Sequence, residues 1–467
     1  VTHYDLAIVG SGSGNTLITP AWDDRRVALI DGGTFGGTCL NVGCIPTKMF
    51  VYPAELATAA RESTRLGVDL TLDGARWSDI RDRIFTRIDA ISRGGRSYRA
   101  DELDNVTLYE DSFSLTGEKS LVSGTGEHIT ADQVVIAAGS RAVLPDIPGI
   151  TLPQVHTSDT VMRLAAQPAR LLIIGGGYIA AEFAHVFGAF GTEVTLVARS
   201  GALLRALDET VSMRFTEAAS KQWQVRLDSS VAALTENPDG SVRALVCGPG
   251  GAEALDVDVV LVATGRIANT DRLGASEAGF DLAANGSLCV DGHQRVLRGG
   301  QPVTGVWALG DVSSAHQLKH VANHEARVVA HNLLHPGDLR LSDHRYVPAA
   351  VFTHPQLAAV GMTEKEALQH GESTGIEIVT AVQQYGSTAY GWAMEDTTGF
   401  VKLLAERGSG QLLGAHILGH EASMIIQPLI QAMSFGLSAH DMAKGQYWIH
   451  PALTEVVENA LLSLGTG

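Results

Sequence analysis

A chain of 467 residues exceeds one ordinary hydrophobic core, so about two to four domains are expected. Its formal net charge of −17 argues against nucleic acid or an anionic membrane surface as partner, and no apolar run approaches the ~20 residues that span a bilayer. The opening stretch VTHYDLAIVG lacks the charged start and long apolar run of a signal peptide, which predicts a cytoplasmic protein whose thiols are normally kept reduced.

The first pattern is DLAIVGSGSGN. Leu6 to Val9 read as a buried parallel strand, and Gly10, Gly12 and Gly14 follow at once. Strand, tight turn and helix entry are the context of a dinucleotide-binding unit. Gly10 makes the turn, Gly12 lets the backbone approach a pyrophosphate, and the helix amino terminus donates N–H groups to it. Asn15 stands where glycine or alanine is usual, and Asp31 closes the next strand, VALI, at the spacing of a ribose ligand.

Directly afterwards, GGTCLNVGCIPTK places Cys39 and Cys44 five positions apart. In a regular helix five residues rise roughly 7.5 Å, beyond the Cα separation of about 4.4–6.8 Å that a disulfide tolerates. A bond between them therefore needs a bend, which Gly43 permits, and structural, metal and redox readings of the pair stay open at this point. A helix is predicted over SDIRDRIFTRIDAISRGGRSYRAD, with Ile80, Ile84, Ile88 and Ile91 as its core stripe and Arg81, Arg83 and Arg87 solvated.

A second strand and glycine turn, LLIIGGGYIAAEF, carries Gly175, Gly177 and Ala180 in the fingerprint positions. No acid closes its second strand. Leu196, Val197 and Ala198 occupy that end, and Arg199 and Arg205 follow, which favours a 2′-phosphate and hence NADP over NAD. VVIAAGSR, VVLVATGR and GVWALGDVSS are further apolar strands ending in small residues. In the last of them Gly310 offers a backbone approach and Asp311 a carboxylate suited to a polyol. His316, His320 and His324 recur every four residues but follow that motif directly and are not read as metal ligands, so no metal site is expected. Cys247 and Cys289 read as inert thiols.

In this order, across nearly the whole chain, these motifs resemble the pyridine nucleotide disulfide oxidoreductases, and GGTCLNVGCIPTK is highly specific for that family. The resemblance implies an α/β fold with two Rossmann-like units, for FAD and NADPH, and an α+β carboxyl-terminal dimerisation domain. The expected divisions are 1–151 for FAD, 152–271 for NADPH, 272–345 for a return to the FAD or central domain, and 346–467 for the interface. FAD would lie against Gly10, Gly12, Gly14, Asp31, Thr38, Lys48, Gly139, Gly310 and Asp311. NADPH would meet Gly175, Gly177, Tyr178, Ile179, Glu182, Arg199, Arg205 and Gly265, with Tyr178 as an aromatic gate.

By the same resemblance Cys39 and Cys44 form a redox-active disulfide, Cys44 facing the flavin and Cys39 attacking the substrate. Lys48, one helical turn after Cys44, would pair with Glu182. His450 and Glu455, in WIHPALTEVVENALL, match the family's acid–base dyad. They would serve the partner subunit of a homodimer and lower the pKa of the Cys39 thiol. The implied substrate is a low-molecular-weight disulfide.

Overall fold

The computed structural model describes residues 1–465; the last two residues of the expected 346–467 unit lie outside the described residues. Three of the five sheets among the described residues organise the chain. In the first, strand Thr2–Val9 pairs in parallel with Val27–Ile30 on one side and His128–Ile136 on the other, and Val27–Ile30 pairs on with Val106–Tyr109. Gln301–Ala308 adds to the far side of His128–Ile136, so residues some 170 positions later return to the sheet where the chain began. Leu6, Ala7, Ile8 and the run Val27–Ile30 are fully covered, as expected of parallel strands flanked on both faces.

The second sheet is parallel throughout, in the order Gln224–Arg226, Glu193–Val197, Arg170–Ile174, Val259–Val262 and Val155–Thr157. The third is antiparallel, in the order Ala349–Val351, Gln356–Gly361, Leu412–Gly419, Phe400–Glu406 and Ile378–Gln384. Helix Cys44–Glu62 packs between the first two units: Trp77 stacks on Phe50 at 5.0 Å and on Phe187 at 5.1 Å between ring centroids. That aromatic pile joins the cysteine-bearing helix to the long helix Trp77–Asp101 and to the helix of the second glycine turn.

Three expectations are corrected here. The first glycine turn does not open an α-helix: Gly14–Leu17 and Pro20–Trp22 are two short 3-10 turns. Pro20 lacks an N–H and disfavours helical geometry in the residue before it, and Thr19 is extended (φ −124°, ψ 169°). On the long helix, Ile84 and Ile88 are buried and Ile80 half-buried, but Ile91 is 53% exposed. Ser92 turns inward in its place, donating to the Phe35 carbonyl at 2.6 Å. Arg81 is not free in solvent either; it donates to the carbonyls of Leu164 and Ala165, whereas Arg83 and Arg87 are exposed. No helix among the described residues is long and apolar enough to cross a membrane.

Candidate active site

Cys39 lies in the short helix Gly37–Asn41 and Cys44 begins the helix Cys44–Glu62, with Val42 and Gly43 as the break between them. A Cβ on Gly43 would stand 2.8 Å from the Thr38 carbonyl oxygen and 3.2 Å from the Cys39 Cα, so only glycine lets the second helix start this close to the first. Both cysteines are free thiols and hydrogen-bonded to each other.

That bond divides the pair electrically. The hydrogen bond from Cys39, helped by the Lys48 ammonium, lowers the Cys44 thiol to about 6 against the opposing effects of burial and Glu182. The same bond, with burial and the charge of Cys44, pushes Cys39 upward, and Lys319 only partly opposes this. This rise of Cys39 describes one chain alone, without the imidazole that the expectation of a lowered thiol takes from the partner subunit.

Lys48 lies one turn beyond Cys44. Its Nζ donates to Glu182 at 2.7 and 2.8 Å, and the carboxylate is nearly buried. The Phe352 backbone N–H donates to Glu182 Oε1 at 3.0 Å, and the Phe352 ring lies 4.7 Å from the ammonium. Nothing in the sequence pattern singles out Phe352, which arrives from just beyond strand Ala349–Val351.

The two glycine turns are built alike. Gly10 has φ +111°, and a Cβ there would stand 2.2 Å from the Ala137 carbonyl oxygen; Gly175 has φ +135° and the same 2.2 Å clash with Ala263. In each unit the third strand's end therefore closes against a bare backbone. Asp31 Oδ2 accepts the Ser11 N–H at 2.8 Å and Oδ1 the Gly33 N–H at 2.8 Å. Asp311 accepts from the Ser140 hydroxyl at 2.6 Å, and Arg266 donates to Ser140 Oγ at 2.8 Å. The Gly310 N–H donates to buried Glu325 at 2.6 Å, which His344 also contacts. Ser11, Ser140 and Glu325 were missed in the sequence; the 20-residue spacing to Asp31 is the only signal that touches any of them.

One cavity of about 1630 Å³ runs along both turns. Its lining includes Gly10, Gly12, Asp31, Thr38, Cys39, Cys44, Lys48, Gly139, Gly310 and Asp311, together with Gly175, Gly177, Tyr178, Ile179, Glu182, Arg199, Arg205 and Gly265. Gly14 is not among the lining residues. It packs backward, where a Cβ would press on Ile8 and Ala137 at 2.8 and 2.9 Å. Arg199 and Arg205 are exposed at the mouth beyond strand Glu193–Val197.

His450 and Glu455 also lie outside the cavity lining. They pair with each other, His450 Nδ1 to Glu455 Oε1 at 2.6 Å, with the imidazole exposed. Among the described residues no cluster of three or more His, Cys, Asp or Glu side chains is disposed to hold a metal ion. His316 precedes the helix Lys319–Leu334, which carries His320 and His324, and packs near His344.

Comparison with known proteins agrees with this architecture. Residues 4–326 match the family model of the pyridine nucleotide-disulphide oxidoreductases and residues 347–461 that of their dimerisation domain. The chain is 53% identical to mycothione reductase of Mycobacterium tuberculosis over 99% of both chains. It is 30% identical to glutathione reductase of Burkholderia cepacia, covering 97% of each. The HOCl-induced flavoprotein disulfide reductase RclA of Escherichia coli superimposes with a TM-score of 0.84 at 27% identity, over 99% of this chain and 100% of that one. Fold, motifs and both family matches agree: the chain belongs to the pyridine nucleotide-disulphide oxidoreductase family and is an NAD(P)H-dependent flavoprotein disulfide reductase.

Proposed function

We propose that this protein is a cytoplasmic homodimer that uses NADPH and FAD to reduce a low-molecular-weight disulfide, mycothione (mycothiol disulfide), to two thiols. The observation that carries the reading is a single cavity in which the Cys39–Cys44 pair and the Lys48–Glu182 ion pair lie between two glycine turns. The 53% identity to mycothione reductase over 99% of the chain supports the choice of substrate. FAD is assigned to the first unit, 1–151 with the return 272–345, NADPH to 152–271, and the interface to the remainder.

The cavity fits two dinucleotides. A Cβ on Gly139, Gly177 or Gly265 would meet nothing within 4 Å, so each leaves bare backbone facing space that a ligand can fill. Asp31 and Asp311 suit ribose and polyol hydroxyls, and Arg199 with Arg205 suits a 2′-phosphate. When bound, FAD relays an electron pair from NADPH to the Cys39–Cys44 disulfide.

From there the chain's own groups do the chemistry. Cys39 attacks one substrate sulfur, the substrate's S–S bond breaks, and a mixed disulfide forms while the first thiolate leaves. Cys44 then attacks Cys39, releasing the second thiolate and restoring the Cys39–Cys44 bond; with one proton taken up, NADPH and the disulfide become NADP⁺ and two thiols. Because the bond that acidifies Cys44 raises Cys39, the attacking thiol needs a base. The exposed His450–Glu455 pair lies outside the cavity that Cys39 lines, and it is assigned to the partner's cavity. Strongly exposed Phe435, Tyr447 and Ile449 in the carboxyl-terminal unit support burial of that face against a second copy.

The test is a panel of NADPH and NADH against mycothiol, glutathione, trypanothione and lipoamide disulfides. NADPH with mycothiol disulfide should give the highest kcat/KM; a preference for another disulfide overturns the substrate, and a preference for NADH the coenzyme. In the same panel His450→Ala should slow disulfide reduction by roughly 10² to 10⁴ while flavin reduction by NADPH persists.

A further inference from the structure

A dinucleotide in the first unit brings two phosphate charges beside two carboxylates, Asp31 and Asp311. The usual counterweight is the amino terminus of an α-helix, worth about half a positive charge. Here the turn opens only the four-residue 3-10 helix Gly14–Leu17, which is too short to align many peptide dipoles. Positive charge must come from elsewhere.

Most nearby cations are engaged. Arg99 donates to Asn15 Oδ1 at 2.8 Å and to the carbonyls of Asn15 and Ile18 at 3.3 and 3.5 Å, bracing the 3-10 segment from behind. Lys48 is held by Glu182 and Arg141 by Asp271. Lys319 differs. It is the first residue of the sixteen-residue helix Lys319–Leu334, and its Nζ reaches across the cavity to donate to Ser13 Oγ at 2.8 Å. Among the described residues no carboxylate pairs with it. An ammonium has three N–H donors, so two remain for a ligand.

The floor beneath it is bare. Gly12 and Gly37 approach so closely that a Cβ on Gly37 would stand 2.8 Å from the Gly12 Cα, and beside them the Gly36 N–H donates to Ser11 Oγ at 2.8 Å.

We infer that Lys319 is the diphosphate-binding cation of the first dinucleotide site, supplying from a distant helix the charge that the missing α-helix does not. Ser13 holds the ammonium at the turn. The inference rests on the proposed placement of FAD in the first unit, and it makes Lys319 a cofactor-binding residue beyond those read from the sequence.

The test is FAD reconstitution of the flavin-stripped protein, read as the dissociation constant from flavin fluorescence. Lys319→Gln should weaken FAD binding about 10- to 100-fold, the usual worth of a hydrogen bond to a charged group. Lys319→Arg should recover most of it, and the gap between wild type and Lys319→Gln should narrow in high salt. The thermal midpoint of the stripped protein and its NADP⁺ affinity should not change, which separates charge loss from a general loosening.

FAD affinity within twofold of wild type in Lys319→Gln overturns the inference. So does an effect seen only in the alkylation rate of Cys39, which would give the ammonium to the thiol instead. A wild-type protein that takes up no FAD overturns the placement of FAD as well, and that failure is recognised because it appears before any substitution.

Discussion

The two glycine turns begin identically and end differently. Gly10 and Gly175 have the same left-handed backbone and the same near-collision with the third strand, at Ala137 and Ala263. After Gly177 a twelve-residue helix, Tyr178–Ala189, follows with nine of its residues after Ile179 buried and none charged except Glu182; after Gly14 there are only two 3-10 turns. The strand-to-turn junction is thus set by backbone sterics, whereas the element beyond it depends on whether the next residues can sustain a helix. The second unit can place a helix terminus at its ligand. The first must bring in side chains from other segments, Arg99 behind the turn and Lys319 in front of it.

Exchanging the shared feature breaks the comparison most sharply. Gly10→Ala and Gly175→Ala each combine a left-handed alanine with a 2.2 Å clash, at a cost of about 3 kcal/mol or more. Gly10→Ala should lose bound flavin and with it nearly all activity. Gly175→Ala should keep its flavin, seen as an unchanged ratio of flavin to protein absorbance, while NADP⁺ affinity falls by about 10². Equal loss of flavin in both variants would mean that the turns do not serve separate ligands.

A smaller effect concerns the ends of the second strands, Asp31 in the first unit against Arg199 and Arg205 in the second. Replacing both arginines with glutamine should raise the KM for NADPH about 10- to 100-fold and leave that for NADH within about twofold. A parallel rise in both constants would assign the arginines to general attraction rather than to a 2′-phosphate.

The finest probe lies where the units meet, at Lys48 and Glu182. In the reduced protein, alkylation of Cys44 should follow its thiolate, rising as pH increases through about 6 and falling away below it, since the folded protein depresses this acid. Glu182→Gln removes a negative charge that opposes ionisation, so the alkylation midpoint should move to lower pH; a midpoint that rises would show Lys48 drifting from Cys44 once its partner is gone. Mass spectrometry of the alkylated peptide reports both.

Much of the fold was legible because its signals are local. Apolar runs of four or five residues ending in glycine announce buried parallel strands, and Gly10, Gly175 and Gly310 all adopt positive φ where those strands end. Lys48 on the face of Cys44 follows from helical periodicity alone. The helix expected after Gly14 does not form because Pro20, six residues on, disfavours helical geometry at Thr19 whatever the glycine pattern before it. Ile91 failed because an i, i+4, i+7 stripe tolerates two outlets, and the long helix passes its contact to Ser92, whose hydroxyl finds the Phe35 carbonyl.

By itself the sequence determined the strand–turn junctions, the bend at Gly43 between the two cysteines, and the absence of an acid at the end of the second unit. These are decided within a few residues, by steric limits on φ and by side-chain chemistry. Only the tertiary structure decided which distant groups complete the site: Phe352 on Glu182, Glu325 beneath Gly310, Ser140 between Asp311 and Arg266, and Lys319 at Ser13. It also decided that Cys39 is the less acidic thiol, while His450 stays outside the cavity. The reason is physical. A buried hydrogen bond or ion pair needs a partner within about 3 Å, and which residues come that close across hundreds of positions is settled by how the sheets and helices pack, not by any spacing along the chain.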